Sequence, residues 1–347
     1  MTSSQTTGPK LIDTASRAAG LRARLVRPAS RELLISRLDG SDQESDLSVP
    51  PNCAGLGRVR HFNRSTPPGW PDNPLPIEPA ARALGQTAGD MVRAQVFQNA
   101  ACAWRCWYCF VPYNLLNADP NRGEWATADR LIDLWSSETD RPAVIDLSGG
   151  SPDLSPEWVI WMMEALEARG QTHETFLWSD DNLSTDYVFS VLGDRDRVKL
   201  RDYPNYARVC CFKGFDPSSF AFNTGAAPSA WEQQFELFAA YLELGLDLYG
   251  YVTLTGPDID AVGIGVPNLM DRLARIDERL PLRVIPLEIR PFAPTVEREA
   301  RRRDAPHAVS KAVQDAAIQV WRSELERRFT TQERETSIVE IGLGSRR

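Results

Sequence analysis

The residues with the clearest chemical potential are three cysteines that fall within eight positions, Cys102, Cys106 and Cys109. Their spacing is C-x3-C-x2-C. Three thiolates on one tight loop can hold three irons of a cubane cluster and leave the fourth iron open to an exogenous ligand. Because a disulfide framework is not expected in a cytoplasmic chain of this size, the spacing predicts a [4Fe–4S] site with one open coordination position.

Two other readings of these cysteines stay open. A structural zinc site takes four ligands, and the nearest histidines, His61 and His173, are far away in the sequence. The second alternative is three buried cysteines that bind no metal. Tryptophan, arginine and tyrosine residues interleave with the cysteines, which is not typical of core packing, so we favour the cluster.

A polar turn with two glycines follows the next apolar segment, at Ser148, Gly149, Gly150 and Ser151. Glycines let a ligand approach the main chain because no Cβ stands in the way. Carbonyl groups exposed there can accept hydrogen bonds from an ammonium group. The turn is therefore a candidate binding site, and an ordinary strand-to-helix turn is the alternative.

Two later segments also end in polar residues. Asp180, Asp181 and Asn182 follow an apolar segment and suit a ribose or a small cation, with a solvated loop or helix cap as the alternative. Lys213 is one of only four lysines, and its ammonium can pair with a carboxylate as a point charge. Strand alternation places Cys211 on the same face as Lys213, where packing is its expected role.

These candidate residues lie at the ends of predicted strands that alternate with helices. The strands are expected at residues 92–98, 143–148, 175–179, 208–212, 248–254 and 283–289. The helices are expected at residues 127–135, 156–169, 185–192, 230–244, 266–279 and 309–329. Such alternation predicts a parallel sheet with right-handed crossovers. Six units favour an α/β fold of the partial, open (β/α)6 barrel type, with its active site at the carboxyl ends of the strands.

The chain divides into three parts by its pattern. Residues 1–89 lack sustained periodicity and predict a partly irregular N-terminal extension, with a short hairpin around Asp39-Gly40 and disorder in the first ten residues. Residues 90–295 are predicted to form the barrel. Residues 296–347 are predicted to form a C-terminal helix and tail.

Composition limits the classes of function. The 347 residues are 42% hydrophobic and 25% charged, with a formal net charge of −8, which is typical of globular enzymes. Nucleic acid is not an expected partner, because phosphate binding needs a basic face. No run approaches the roughly 18 apolar residues that span a bilayer, and the N-terminus lacks an apolar signal core. We therefore expect a cytoplasmic protein that does not contact a membrane.

The cysteine motif, with Tyr108 before its last cysteine, resembles the signature of the radical S-adenosylmethionine (SAM) enzymes. The turn at Gly149-Gly150 is similar to the Gly-Gly-Glu-Pro turn of that family, with Ser151 where the family often has an acid. The family uses a partial (β/α)6 barrel, in agreement with the predicted strands. The resemblance covers about residues 92–293.

Within that superfamily, the core is most similar to the branch that activates glycyl radical enzymes. Residues 180–182 are similar to its Asp-Thr-Asn-Gly turn, and the strand that ends at Lys213 resembles its Asp-x-Lys strand. An arginine of that branch is missing, with Gly250 near its place, and the sixth strand ends without the histidine often found there.

The resemblance implies a site residue by residue. Cys102, Cys106 and Cys109 would bind a [4Fe–4S] cluster as the metal ligands. The implied SAM-binding residues are Tyr108, Ser148, Gly149, Gly150, Ser151, Asp180, Asp181, Asn182 and Lys213. A flavodoxin or ferredoxin-type electron donor would supply the electron that cleaves SAM. The 5′-deoxyadenosyl radical would then abstract a hydrogen atom from the substrate.

The substrate is left open between two classes. The first is a small molecule or peptide, and the alternative is a glycyl radical enzyme on which this chain would install the radical. An iron–sulfur electron carrier is a competing class, although it would need neither the Gly-Gly turn nor Lys213. DNA repair of the spore-photoproduct-lyase kind suits an acidic chain poorly. Because every motif follows residue 90, neither cluster nor SAM is expected to need residues 1–60.

Overall fold

The computed structural model describes residues 11–300 and 306–344. Within them, the strands are β1 (Val26–Arg27), β2 (Glu32–Ser36), β3 (Gly57–Asn63), β4 (Met91–Phe97), β5 (Gly123–Thr127), β6 (Val144–Leu147), β7 (Phe176–Asp181), β8 (Tyr206–Lys213), β9 (Leu248–Thr253) and β10 (Val284–Leu287). The α-helices are α1 (Thr14–Leu25), α2 (Ile77–Ala83), α3 (Ala128–Ser137), α4 (Pro156–Ala168), α5 (Tyr187–Ser190), α6 (Asp194–Asp202), α7 (Pro217–Thr224), α8 (Ala230–Leu244), α9 (Val262–Ile276), α10 (Ala293–Ala300), α11 (Pro306–Arg328) and α12 (Thr331–Glu335). The disorder expected in the first ten residues lies outside the described residues.

The main sheet has seven strands in the order β10-β9-β8-β7-β6-β4-β3. Six of them run parallel and follow one another in chain order, and β3 pairs antiparallel with β4 at one edge. Parallel neighbours need crossover connections, which helices provide here. Each of the six predicted strands overlaps one of these parallel strands. The mixed α/β class with a mostly parallel sheet is therefore confirmed, and the exact (β/α)6 count stays a prediction.

The sheet is curled rather than flat. Strands β3 and β9 are five positions apart in the sheet, which corresponds to about 24 Å in a flat sheet. Nevertheless, the Tyr251 hydroxyl on β9 lies 3.3 Å from Asn73 Oδ1 and donates to the Leu75 carbonyl at 3.2 Å, both shortly after β3. The two edges of the sheet thus approach each other, and the sheet forms a half-barrel with an inner and an outer face.

Two hydrophobic layers stabilise the half-barrel. The outer layer packs helices such as α4 and α8 against the outward side chains of the strands, including Cys210 and Phe212. The inner layer joins strand residues such as Val144 and Cys211 to Leu75 and Ile338. Residues after β3 and near the C-terminus therefore close the inner face, and the polar strand ends line the opposite end of the barrel.

The N-terminal part is more regular than its sequence indicates. Strand β2 pairs antiparallel with β5 in a small three-stranded sheet, and β3 extends the main sheet. Gly40 lies in a turn with φ of 68°, but no hairpin forms around Asp39-Gly40, because the strands on either side pair with β5 and β4. Residues of the predicted extension thus belong to the main sheet.

The helices largely follow the predicted positions. Only the short α5 lies within the helix predicted at residues 185–192, and α6 follows outside that range, with Gly193 as its N-cap. The predicted C-terminal helix at residues 309–329 is α11. In the part of the chain that the structure describes, no helix has the length and apolar content that crossing a bilayer requires.

Candidate active site

The predicted site residues gather at one end of the half-barrel. The cysteine loop, which we define as residues 98–118, follows β4. The Gly-Gly turn follows β6, Asp180 and Asp181 end β7, and Lys213 ends β8. Because the carboxyl ends of neighbouring parallel strands meet at the same edge of a sheet, four segments distant in sequence face a common space.

Main-chain hydrogen bonds hold the cysteine loop against α7. The Arg105 amide donates to the Thr224 carbonyl at 2.9 Å, and the Trp107 amide donates to the Asn223 carbonyl at 3.2 Å. The Trp107 indole also donates to the Asn223 side chain at 3.2 Å. The loop is therefore anchored to the helix that follows β8, a contact that no pattern in the sequence signals apart from a Thr-Gly pair at the end of α7.

The three cysteines are enclosed by the protein. Cys102 and Cys106 are buried and Cys109 is half-buried. Burial raises the pKa of Cys106 to about 12 and also raises the pKa of Cys109. Thiols in such surroundings stay protonated unless a positive centre stabilises the thiolate, and a bound metal does so.

These thiols suit a cluster better than a single ion. Among the described residues, no group of three or more His, Cys, Asp and Glu side chains has the geometry to hold one metal ion. A cubane separates its thiolate ligands further, because each thiolate binds a different iron. Three enclosed cysteines on one loop therefore fit a [4Fe–4S] cluster, whereas a mononuclear zinc site lacks its fourth ligand.

The Gly-Gly turn packs directly against the cysteine loop. Gly149 and Gly150 both have φ of +73°, a conformation that side chains with a Cβ rarely adopt. A Cβ on Gly150 would lie 2.1 Å from Asn99 Oδ1 and 2.5 Å from the Ala101 carbonyl oxygen. The two glycines are thus needed for the close approach of two loops.

Hydrogen bonds link this turn to a cysteine and to the end of β7. The Ser151 amide donates to the Ala101 carbonyl at 2.7 Å, and the Ser151 hydroxyl donates to Cys102 Sγ at 3.3 Å. The side-chain amide of Asn182 donates through Nδ2 to the Gly150 carbonyl at 2.9 Å and to Ser151 Oγ at 3.0 Å. The predicted residues Ser151 and Asn182 are therefore in one hydrogen-bond network with Cys102 of the cysteine loop.

Lys213 faces the cysteine loop from the inner side of β8. Its side chain is buried, and no carboxylate of the described residues forms an ion pair with it. Burial acts to lower the pKa of Lys213, but the net shift is upward, because Cys211, Tyr108, Cys106 and Cys102 favour the ammonium form. The ammonium group therefore stays charged beside the cysteines without a carboxylate partner from the protein.

Tyr108 is also held in place at this end of the barrel. Its hydroxyl lies 3.1 Å from Thr253 Oγ1 at the end of β9, and burial raises its pKa. Ser148, the first residue of the Gly-Gly turn, is buried and donates to Asp146 Oδ2 at 3.0 Å. Ser148 therefore orients a carboxylate on the inner face of β6.

Asp180 and Asp181 lie on opposite faces of β7. Asp180 is half-buried on the inner face. Asp181 is buried on the outer face, where it forms an ion pair of 2.9 Å with Arg208 and accepts the Leu183 amide at 2.7 Å. The structure therefore brings Asp180 to the common space and directs Asp181 away from it.

Several charged residues near the site escaped the sequence analysis. Arg58 and Arg60 lie on β3 in the predicted extension, on the same face as Phe62 of the inner hydrophobic layer. The alternation of Arg58, Arg60 and Phe62 with Val59 and His61 is a strand signal of period two. The sequence analysis missed this strand because its partner, β4, is not nearby in the sequence.

Arg298 of α10 supports the far end of the cysteine loop. Its guanidinium donates to the carbonyl groups of Trp107 (3.3 Å), Cys109 and Val111 (2.6 Å). It also lies 3.8 Å from the ring centroid of Tyr113. The C-terminal part of the chain thus contributes a cation to the loop that carries the cysteines.

Comparisons with known proteins give few matches. No family model matches the chain, and no curated protein matches it. Among solved structures, Streptococcus suis SuiB bound to the precursor peptide SuiA is 13% identical, with a TM-score of 0.36, over 51% of this chain and 36% of that chain. SuiB bound to S-adenosylmethionine is 14% identical, with a TM-score of 0.36, over 52% of this chain and 37% of that chain. The match thus spans little more than a third of SuiB, and a likeness this weak supports no conclusion about activity.

Proposed function

We propose that this chain is a radical SAM enzyme that acts on a small molecule or peptide. One observation carries the proposal: a C-x3-C-x2-C loop, a Gly-Gly turn and a strand-end asparagine are joined by direct hydrogen bonds at the carboxyl edge of a parallel sheet. Cys102, Cys106 and Cys109 bind a [4Fe–4S] cluster in this proposal. The cluster and SAM, when bound, supply a one-electron cleavage of the SAM C–S bond and the radical that abstracts a hydrogen atom from the substrate.

The turn and its neighbours hold the site in shape. The Ser151 hydroxyl orients Cys102 through its hydrogen bond to Sγ. Asn182 fixes the Gly150 carbonyl and the same hydroxyl, so that β7 and the Gly-Gly turn move as one unit. In this proposal the methionine part of SAM binds the main chain of the turn on the side away from Gln98 and Asn99, which pack where Cβ atoms would otherwise lie.

Lys213 is the proposed partner of the SAM carboxylate. It keeps its charge beside the cysteine loop, and the described residues supply no carboxylate to neutralise it. A ligand carboxylate completes that pair. Two further residues line the proposed SAM site. They are Tyr108, whose hydroxyl contacts Thr253, and Asp180. Asp181 acts as a positioning residue, because its carboxylate fixes Arg208 and the backbone of Leu183 rather than the common space.

The electron donor and the substrate belong to the proposal as well. A buried cluster with an open iron needs a flavodoxin or ferredoxin-type donor to supply one electron per turnover. The likeness to glycyl-radical-enzyme activases depends on sequence motifs alone, so that reaction is kept as an alternative. A cytoplasmic location is part of the same proposal.

The experiment is anaerobic reconstitution of the purified chain with iron and sulfide. We expect about four irons and four sulfides per chain, with the absorbance of a [4Fe–4S] cluster. Replacing Cys102, Cys106 and Cys109 together by alanine should abolish both. The matched control replaces Cys53 and Cys210, which pack in the outer hydrophobic layer, and it should keep the cluster. An unchanged iron content in the variant without the three loop cysteines would overturn the assignment.

A further inference from the structure

Besides Lys213, four ionisable side chains lie on the inner face of the half-barrel, and the proposed cofactor site uses only Asp180 among them. They are Arg58 and Arg60 on β3, Asp146 on β6 and Asp180 on β7. Arg58 and Asp146 are more than nine-tenths buried, whereas Arg60 and Asp180 are half-buried. Two of these inward-facing groups thus keep partial contact with solvent.

The acidic and basic side chains of this face influence one another but do not form ion pairs. The pKa of Asp180 is raised to about 8 by burial and by Asp146, while Arg60 and Arg58 oppose the shift, so the four groups lie within electrostatic range. Among the described residues, however, neither arginine forms an ion pair with either aspartate.

Each of the two guanidinium groups lies near an aromatic ring. Arg58 lies 5.2 Å from the ring centroid of Phe110, and Arg60 lies 4.1 Å from the ring centroid of Phe62. A guanidinium group is stabilised over an aromatic face, which fixes its position without using its hydrogen-bond donors. The donors therefore remain available for a ligand.

The free donors of Arg58 form one particular edge. Its Nε and Nη2 are buried, and neither has a hydrogen-bond partner among the described residues. These two nitrogens form the edge of the guanidinium that binds both oxygens of a carboxylate. Arg201 uses the same edge on the carboxylate of Asp202, at 2.6 and 2.8 Å. Arg58 thus presents an anion-binding edge that the protein itself leaves unfilled.

A free acceptor lies on the same face of the sheet, two strands away: Arg58 is in register with Val96 of β4, and Val96 is in register with Asp146 of β6. Asp146 Oδ2 accepts from Ser148, but Asp146 Oδ1 is buried without a partner among the described residues. An unpaired buried carboxylate oxygen is costly, and an ammonium or hydroxyl group satisfies it. The interior therefore combines an unfilled anion site with an unfilled site for a cationic or donor group.

Resting on the proposed function, we propose that the substrate is a small zwitterion, an amino-acid-like compound that carries a carboxylate and an ammonium group. Its carboxylate binds the Nε and Nη2 edge of Arg58, with Arg60 as the second cation. Its ammonium group binds Asp146, whose Oδ1 has no partner among the described residues. Because Phe110 lies near the Arg58 guanidinium and follows Cys109 in the chain, the bound molecule lies beside the cysteine loop.

An internal peptide segment fits this interior poorly. Its main chain brings no net charge to pair with Arg58 or Asp146, so a peptide would have to supply both charges from two suitably placed side chains. The proposal therefore selects the small-molecule class over a folded peptide or a protein loop. Within that class, the distance between the two charged groups is what the binding measurement determines.

The test measures binding to the anaerobically reconstituted full chain, with SAM present, by isothermal titration calorimetry. The probes are two zwitterions of different charge separation, L-alanine and 4-aminobutanoate. Each is compared with analogues that lack one charge, propionate and ethylamine for the first, butanoate and butylamine for the second. One charge-assisted contact corresponds to about a 10-fold or larger difference in affinity, so at least one zwitterion should bind that much more tightly than both of its analogues. Equal affinities within both series would overturn the proposal.

Variants locate that binding. Arg58→Met should remove the preference for the zwitterion over the amine, and Asp146→Asn should remove the preference over the carboxylate. Arg58→Met should alter neither the iron content nor the affinity for SAM. If Arg58→Met instead weakens SAM binding, the interior belongs to the cofactor and the zwitterion proposal is wrong, while the proposed enzyme class stands.

A second measurement needs no ligand. Because the charge of Arg58 has no carboxylate partner among the described residues, Arg58→Met should melt at or above the temperature of the parent protein. The matched control is Arg208→Met, which breaks the buried ion pair with Asp181 and should melt several degrees lower. If the two variants are destabilised equally, Arg58 has a structural role and the proposal fails. Loss of iron binding in the variant without the three loop cysteines concerns only the proposed function, so the two failures can be told apart.

Discussion

At the scale of single residues, the face of the strand decides what a side chain does. Asp180 and Asp181 are neighbours in sequence, and side chains alternate across a strand. Asp181 meets Arg208 in the outer layer, at 2.9 Å, and its charge is satisfied there. Asp180 meets the interior and has no such partner within the described residues. The two residues belong to one sequence motif, but Asp181 has a structural role and only Asp180 is a candidate site residue.

Lys213 gives the first prediction at this scale. Loss of a charge-assisted contact to a carboxylate costs about 1.5–3 kcal/mol, which is roughly a 10- to 150-fold loss of affinity. Lys213→Ala should therefore weaken SAM binding by about that factor and leave the cluster absorbance unchanged. Equilibrium titration of the reconstituted protein with SAM provides the measurement. Lys199→Ala, at a surface ion pair with Glu167, is the control, and equal SAM affinity in both variants would contradict the role of Lys213.

Asp180 gives a prediction about pH. Burial and Asp146 raise its pKa from 3.8 to about 8, against the opposing charges of Arg60, Lys213 and Arg58. Between about pH 4 and pH 8 the folded chain holds a proton at Asp180 that the unfolded chain has lost, so stability falls as pH rises through this window. Asp180→Asn removes that contribution.

The measurement is the melting temperature at intervals from pH 5 to pH 8. The variant should lose less stability than the parent over this range, and its relative stability should be greatest at pH 8. Asp146 and Asp181, whose pKa values are also raised, still contribute a slope of the same sign in both proteins. Parallel curves for parent and variant would show that Asp180 is ionised in the folded chain.

At the scale of elements, the site depends on the close packing of the cysteine loop and the Gly-Gly turn, which the missing Cβ atoms of the two glycines allow. The Gly-Gly turn contacts Asn99 and Ala101, and the Ser151 hydroxyl reaches Cys102. The turn therefore shapes the cysteine loop as well as the proposed SAM site. A change in the turn is expected to affect the retention of iron, even though no residue of the turn is a metal ligand.

Gly150→Ala tests this coupling. The new Cβ would meet backbone and side-chain oxygens at 2.1–2.7 Å, at a φ of +73°, so we expect the loops to separate and the cluster to be lost to a chelator faster than in the parent. Gly170→Ala is the control, since Gly170 has a similar φ of +66° but no atom within 4 Å of the position that a Cβ would take. Both variants carry the strain of a positive φ, about 1 kcal/mol. Equal rates of iron loss would indicate strain alone.

How much of these elements is visible in the sequence depends on the range of their contacts. The six parallel strands and the three-cysteine loop follow from local patterns, apolar runs and close spacing. Strand β3 does not emerge from such patterns, because its partner β4 is separated from it by residues 64–90. Arg58 and Arg60 escape prediction for the same reason. The sequence also cannot show that Asp181 pairs with Arg208, since that contact joins two different strands.

At the scale of the whole molecule, the N-terminal residues are part of the structure that positions the site. Strand β3 covers one edge of the half-barrel, and β2 pairs with β5, which follows the cysteine loop. The sequence alone favours the view that cluster and SAM binding need nothing before residue 60. The structure leads to a different expectation, because a deletion there removes strands from both sheets.

Deletion of residues 1–60 is therefore expected to yield protein that aggregates or retains no iron after reconstitution. Hydrophobic side chains such as Phe97 and Ala126 would lose partners in the shared core, and the exposed edge of β4 would be free to pair with other chains. Iron content and the monomer fraction in size-exclusion chromatography are the measurements. Arg60→Met, which keeps β3 but removes an interior charge, is the control for the fold. A monomeric truncated protein with a full cluster would restore the view of residues 1–60 as a dispensable cover.

The central claim is that the cysteine loop and the Gly-Gly turn form a site for reductive cleavage of SAM. The most direct measurement incubates the anaerobically reconstituted protein with SAM and dithionite and quantifies 5′-deoxyadenosine and methionine by liquid chromatography. We predict that both products form in equal amounts, and that neither forms when Cys102, Cys106 and Cys109 are replaced by alanine. A protein that holds a complete, reducible cluster and binds SAM, yet forms no 5′-deoxyadenosine, would contradict the account.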